Sequence, residues 1–203
     1  MAEDRSSAVP QGLVVPMLTP FEADGSIASD LFIAHAKHLL AQGAAGLAPF
    51  GTTGEALSVG INARISSIDR LLDHGISPDF LIPGTGLTSL DDTANLSRAM
   101  LDRSVRAVMV LPPFYYKNVS NQGIITYFTR LIERLGEDAR IVLYHIPKVA
   151  MVGFGVDVVQ HLKARFPDQI LAIKDSSGDW SNMQALMGID GLHVYPGSER
   201  NLP

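Results

Sequence analysis

The stretch "RIVLYHIP" (140–147), followed by "ILAIKDSSG" (170–178), decides the fold. Each is a short apolar run that ends on Pro, Gly or Ser, with no polar residue at every second place. That pattern belongs to strands buried on both faces, as in a parallel sheet. The segment between them, "GVDVVQHLKARF" (155–166), has apolar residues at helical spacing. Strand, helix and strand in this order predict a parallel crossover unit.

The same alternation extends along the whole chain. Further strand-length apolar runs are "GLVVPML" (12–18), "AGLAPF" (45–50), "FLIPGTG" (80–86), "RAVMVLPP" (106–113) and "LHVYPGS" (192–198). Helices are predicted for "SDLFIAHAKHLLAQG" (29–43), "SLDDTANLSRAMLDR" (89–103), "NQGIITYFTRLIERLG" (121–136) and "DWSNMQALMG" (179–188). Gly43 and Gly136 read as helix stops, and Ser89 with Asp92 as a cap signal. The strand-to-strand spacing of roughly 30 residues suits a barrel or a doubly wound sheet. Seven strands are expected, and an eight-stranded barrel does not close on seven. Either the sheet is open or the chain is a shortened form of a longer protein. The whole chain, 1–203, reads as one incomplete domain with no linker.

Composition narrows the function. The chain has 203 residues and a net charge of −5. It has no basic block, which argues against nucleic-acid binding. It has no cysteine, so disulfides and thiolate metal sites are excluded. The six histidines are scattered, and no metal site is expected. No apolar run is long enough to span a membrane, and "MAEDRSSAVPQ" has no apolar signal core. These features predict a cytoplasmic, soluble protein.

In parallel α/β folds, chemistry collects at the carboxyl ends of the strands. There the sequence places "FGTTGE" (50–55), "LPPFYYK" (111–117), "LYHIP" (143–147) and "IKDSSG" (173–178). The residue types are threonines, tyrosines and a lysine, without a cluster of carboxylates or histidines. A lysine at a strand end can simply reach water with its head. At the rim of an apolar pocket it can instead lose its proton and become a nucleophile. "GTTGE" reads either as a tight turn, with glycines at positive φ and threonines capping the next helix, or as a cradle for an anion. Asp175 follows Lys174 and should point to the other face. Tyr144 and Lys174 lie on consecutive strands. If those strands are neighbours, a neutral Lys174 amine can condense with a ketone while the Tyr144 hydroxyl moves protons. Such a kit suits a 2-oxo acid such as pyruvate and needs no cofactor.

"GTTGE", "PPFYYK" with its following Ser-x-x-Gly, "YHIP" and "IKDSSG", in this order, resemble the dihydrodipicolinate synthase/N-acetylneuraminate lyase family of class I, Schiff-base-forming aldolases. The resemblance runs from "GLVVPMLTPF" to "YPGSE". It implies a (β/α)8 TIM barrel, C-terminally truncated here after the seventh strand. It implies that Lys174 forms the Schiff base with pyruvate and that Tyr144 donates and accepts protons. Thr53 and the backbone at Gly51 would hold the pyruvate carboxylate. Thr52 and Tyr116 would form the proton relay to Tyr144, with Tyr116 supplied across a dimer. The implied activity is a carbon–carbon or carbon–oxygen lyase joining or splitting pyruvate and an aldehyde. Small-molecule substrates and a homo-oligomer, dimer or tetramer, go with it.

Two departures qualify the resemblance. The synthase branch carries an arginine shortly after its Tyr-x-x-Pro. Val149 stands there instead, next to Lys148. Lys148 can act as a point charge but lacks the bidentate fork of arginine. The eighth strand and the C-terminal helices of the family are absent. The alternatives are therefore a non-catalytic family member or a 2-oxo-acid binder. A phosphosugar-binding barrel is disfavoured, because "YPGSE" is a poor phosphate cradle.

Overall fold

The computed structural model of the chain describes residues 9–198. Their contacts divide them into two compact units. One comprises residues 10–85 and 96–109, and the other comprises Val9 with residues 86–95 and 110–198.

In the first unit, β1 (Val14–Pro16) and β2 (Gly46–Ala48) pair in parallel, with α1 (Ser29–Ala41) as the connection. The buried face of α1 presents Phe32 and Ile33, with Ala36 one helical turn further on. The strand expected over 80–86 is reduced to two parallel bridges, Leu47↔Leu81 and Gly84↔Met109. Pro83 has no N–H to give, and a 3₁₀ turn occupies Pro78–Phe80 just before it. The ladder nevertheless passes through this segment. Ile82 N–H donates to the Leu47 carbonyl (2.9 Å), and Thr85 N–H donates to the carbonyl of Met109 (2.9 Å) in β3 (Val108–Val110).

This unit also holds α2 (Ile61–Asp73), which the sequence pattern did not predict. Its buried face carries Arg64 and Ser67 beside Ile68 and Leu71, so half of the buried stripe is polar. The Arg64 guanidinium replaces an apolar contact by satisfying backbone acceptors. It donates to the carbonyls of Val59 (3.0 Å), Gly84 (3.4 Å) and Ala56. Arg64→Leu would leave these carbonyls short of donors in a dry place. We expect it to destabilise the protein by about 3–5 kcal/mol. The urea midpoint measures this, and a change below about 1 kcal/mol would mean that water replaces the guanidinium.

In the second unit, β4 (Ile141–His145), β5 (Ile170–Asp175) and β6 (His193–Pro196) pair in parallel in that order. Every residue of β4 is buried, as a strand covered on both faces requires. The helices are α4 (Asn121–Leu135), α5 (Pro147–Ala150), α6 (Val156–Arg165) and α7 (Trp180–Met187). The helix α4 starts where Ser120 Oγ accepts the Gly123 N–H (3.1 Å) and stops at Gly136, with φ of 73°. It packs on α6, and α6 packs on α7. The short α5 was not predicted either. It begins on Pro147, whose fixed φ suits the first helical position. The helix α3 (Leu90–Leu101) passes from one unit to the other and is capped as expected, with the Asp92 N–H on Ser89 Oγ (3.2 Å).

Both units are thus α/β with parallel strand pairing. Among the described residues no helix is long and apolar enough to cross a membrane.

Candidate active site

The register between β4 and β5 sets Tyr144 opposite Lys174. In a parallel pair such partners stand side by side on one face of the sheet. The Lys174 Nζ lies 4.6 Å from the centroid of the Tyr144 ring, in cation–π range. Tyr144 is only 4% exposed, and Lys174 is partly buried. Burial pulls the Lys174 ammonium down to about 8 from an ordinary 10.5. The cause is desolvation, which penalises the charged form. No carboxylate stands on this face of β4, β5 or β6 to oppose it.

The next residue on each strand faces the other way. Asp175 is fully buried and carries out a structural task, as its position after Lys174 predicted. Its Oδ1 accepts the Ser177 N–H (2.8 Å), and its Oδ2 accepts from Asn182 Nδ2 (2.9 Å). The backbone N–H of Ser176 donates to the His145 carbonyl and that of Gly197 to the Asp175 carbonyl, each at 2.7 Å. These bonds hold the ends of β4, β5 and β6 together just past Tyr144 and Lys174. His145 is buried, and its Nδ1 accepts the Phe154 N–H (2.9 Å). Burial lowers its pKa, against the raising effect of Asp175 and Asp179. A neutral ring with its proton on Nε2 fits that bond. Sequence reasoning did not anticipate this clamp, because its partners Asn182 and Phe154 lie outside the strand motifs.

Gly51, Thr52 and Thr53 lie together in a turn of the first unit, with Gly51 buried and both threonines exposed. The glycines there do not supply positive φ, contrary to the expectation. Phe50 (59°) and Glu55 (50°) do. Phe50 tolerates it within a stacked contact with Phe32, ring centroids 5.7 Å apart. Gly54 is required for close approach instead. A Cβ on it would stand 2.7 Å from the Met17 carbonyl oxygen, and its own carbonyl accepts from Thr19 Oγ1 (2.7 Å). Nor do the threonines cap a helix. The next helical turn, Ala56–Ser58, starts from Glu55 without a side-chain cap.

Tyr116 is 69% exposed and Tyr115 is 79% exposed, their rings meeting edge to face at 5.5 Å. Tyr115 has φ of 82°, costly for a bulky side chain. Val149, in the place of the expected arginine, is 61% exposed, and Lys148 beside it is exposed. Tyr144 and Lys174 are therefore the pair that the sheet of the second unit brings together. Among the described residues no three His, Asp or Glu side chains gather as metal ligands would.

An amine with lowered basicity beside a tyrosine, on a buried parallel sheet, marks this pair as the candidate site. The chain matches the dihydrodipicolinate synthetase family over residues 9–203 and belongs to that family. It is 37% identical to an uncharacterised DapA-like lyase of Chloroflexus aurantiacus, over 95% of this chain and 65% of that protein. It is 31% identical to the 4-hydroxy-tetrahydrodipicolinate synthase of Corynebacterium jeikeium, over 100% of this chain and 66% of the relative. The crystal structure of dihydrodipicolinate synthase from Agrobacterium tumefaciens superposes with a TM-score of 0.87 at 37% identity, covering 90% of this chain and 65% of the other. The 2-keto 3-deoxygluconate aldolase of Picrophilus torridus shares the fold, with a TM-score of 0.85 at 24% identity over 92% of this chain and 66% of that one. The chain thus spans about two thirds of the length of the proteins it matches.

Proposed function

We propose that this chain carries the Schiff-base half of a class I, pyruvate-dependent lyase. The observation that carries the reading is the desolvated Lys174 amine, in register beside Tyr144 on a face free of carboxylates. The neutral amine adds to the 2-oxo carbon of pyruvate. Loss of water then leaves an iminium, which withdraws electrons from the adjacent methyl carbon. Removal of a methyl proton gives an enamine that attacks an aldehyde, and the reverse sequence cleaves the bond. Tyr144 carries the protons that these steps exchange. Thr53 and the Gly51 backbone bind the carboxylate, and Thr52 and Tyr116 form the relay to Tyr144. These four roles rest on the family resemblance. The exposure of Tyr116 supports a homo-oligomer in which a neighbouring copy receives the ring. By family and by likeness to solved structures, the fold is of the (β/α)8 barrel type.

Borohydride trapping with pyruvate, followed by peptide mapping, tests this directly. The adduct is expected on the peptide containing Lys174. Its initial rate should rise about tenfold per pH unit at low pH and level off near pH 8, because only the neutral amine attacks. A rate still climbing toward pH 10, or no adduct in a folded sample, would overturn the reading and leave a non-catalytic family member.

A further inference from the structure

The pairing that joins Lys174 to Tyr144 continues to a third strand. Lys174 is the register partner of Tyr195 on β6, as it is of Tyr144 on β4. One row thus runs Tyr144–Lys174–Tyr195 across three parallel strands on one face. The row before it is Val142–Ala172–His193. Adjacent strands stand about 4.8 Å apart, so the register sets the root of the Tyr195 side chain next to that of Lys174 on this face. Its ring is set by His193, two residues earlier on the same face. The two rings meet edge to face with centroids 4.5 Å apart. Ala172, between Val142 and His193, is small and leaves Lys174 without a large neighbour beneath it on its own strand.

We propose that Tyr195 is a positioning residue for Lys174, its ring walling the amine on the β6 side as the Tyr144 ring does on the β4 side. Both rings cover the lysine with apolar surface and bring no negative charge. The titratable groups sharing the face from the flanking strands are Tyr144, His193 and Tyr195. Asp175 and His145 stand on the opposite face, and the Asp175 carboxylate is bound by Ser177 and Asn182. Desolvation is therefore what this face imposes on the amine. A lysine with only one ring beside it would stand open to water along β6.

The inference rests on reading Lys174 as the reactive amine, and its test needs no substrate. Labelling with trace acetic anhydride across a pH series, with mass mapping of the Lys174 peptide, reports the titration of that amine alone. In the wild type the midpoint is expected near 8. In Tyr195→Ala it should move toward the ordinary lysine value, so that labelling at pH 8 falls roughly five-fold or more. Tyr195→Phe keeps the ring and should retain the wild-type titration. Tyr195→Val retains a strand-forming side chain and replaces the alanine variant should that one unfold. An unchanged midpoint in the folded alanine or valine variant would overturn the proposal. So would a phenylalanine variant shifted as far as alanine, or a wild-type midpoint at the ordinary value. A midpoint near 8 that depends on Tyr195, without any pyruvate adduct, would refute the lyase reading and sustain this one.

Discussion

Lys174→Ala is expected to abolish covalent capture of pyruvate while leaving the fold intact. The size of the effect follows from protonation. At pH 7.5, an amine that titrates at about 8 is roughly one-quarter neutral, whereas an ordinary lysine is about 0.1% neutral. Lys174 should therefore react about 200-fold faster than a surface lysine, and its loss should leave only background. Lys163 is the informative control, because burial lowers its pKa too. Its ammonium, however, donates to the carbonyls of Pro167 (2.7 Å) and Ile170 (2.9 Å), which favours the charged form. Adduct on the Lys163 peptide, or capture that persists in Lys174→Ala, would defeat the assignment. Lys174→Met retains the apolar stem against Tyr144 and separates loss of the amine from loss of packing.

Tyr144→Phe should slow proton transfer by roughly 10²–10⁴ while the adduct still forms. The aldehyde partner is not needed to see this. Once pyruvate is held as the iminium, its methyl protons exchange with solvent through the enamine, and deuteration in D₂O is followed by NMR. The variant keeps the ring beside Lys174, so the environment of the amine is preserved. Loss of one hydroxyl bond costs only about 0.5–1.5 kcal/mol of stability. A large fall in exchange with a nearly unchanged urea midpoint would assign the hydroxyl to the chemistry. An exchange rate equal to wild type would remove Tyr144 from the mechanism.

Most of the architecture was legible because buried strands and amphipathic helices leave direct marks in composition. The runs that became β4, β5 and β6 stood out as unbroken apolar segments. The helix α4 declared itself through its apolar spacing and its Gly136 stop. Two helices escaped for opposite reasons. In α2 the buried stripe includes Arg64 and Ser67, so an apolar period is not visible where backbone carbonyls satisfy the charge. In α5 four residues are too few to show any period. The third expected strand was legible as an apolar run. Its thinning to bridges came from Pro83 and from the 3₁₀ turn before it.

By itself the sequence determined the parallel α/β character, the family, and the choice of Lys174 and Tyr144 as the pair to examine. These follow from local properties: apolar runs, stop residues and motif order. Only the tertiary structure decided the register. One residue of slip would turn Lys174 to the opposite face and bring Asp175 in its place, since side chains alternate along a strand. Register also placed Tyr195 beside the lysine and gave the Asp175 carboxylate its buried partners. It follows from backbone hydrogen bonds between strands whose partners are 30 residues apart for Tyr144 and Lys174 (174 − 144) and 21 apart for Lys174 and Tyr195 (195 − 174); their identical N–H and C=O groups leave no trace in the order of side chains.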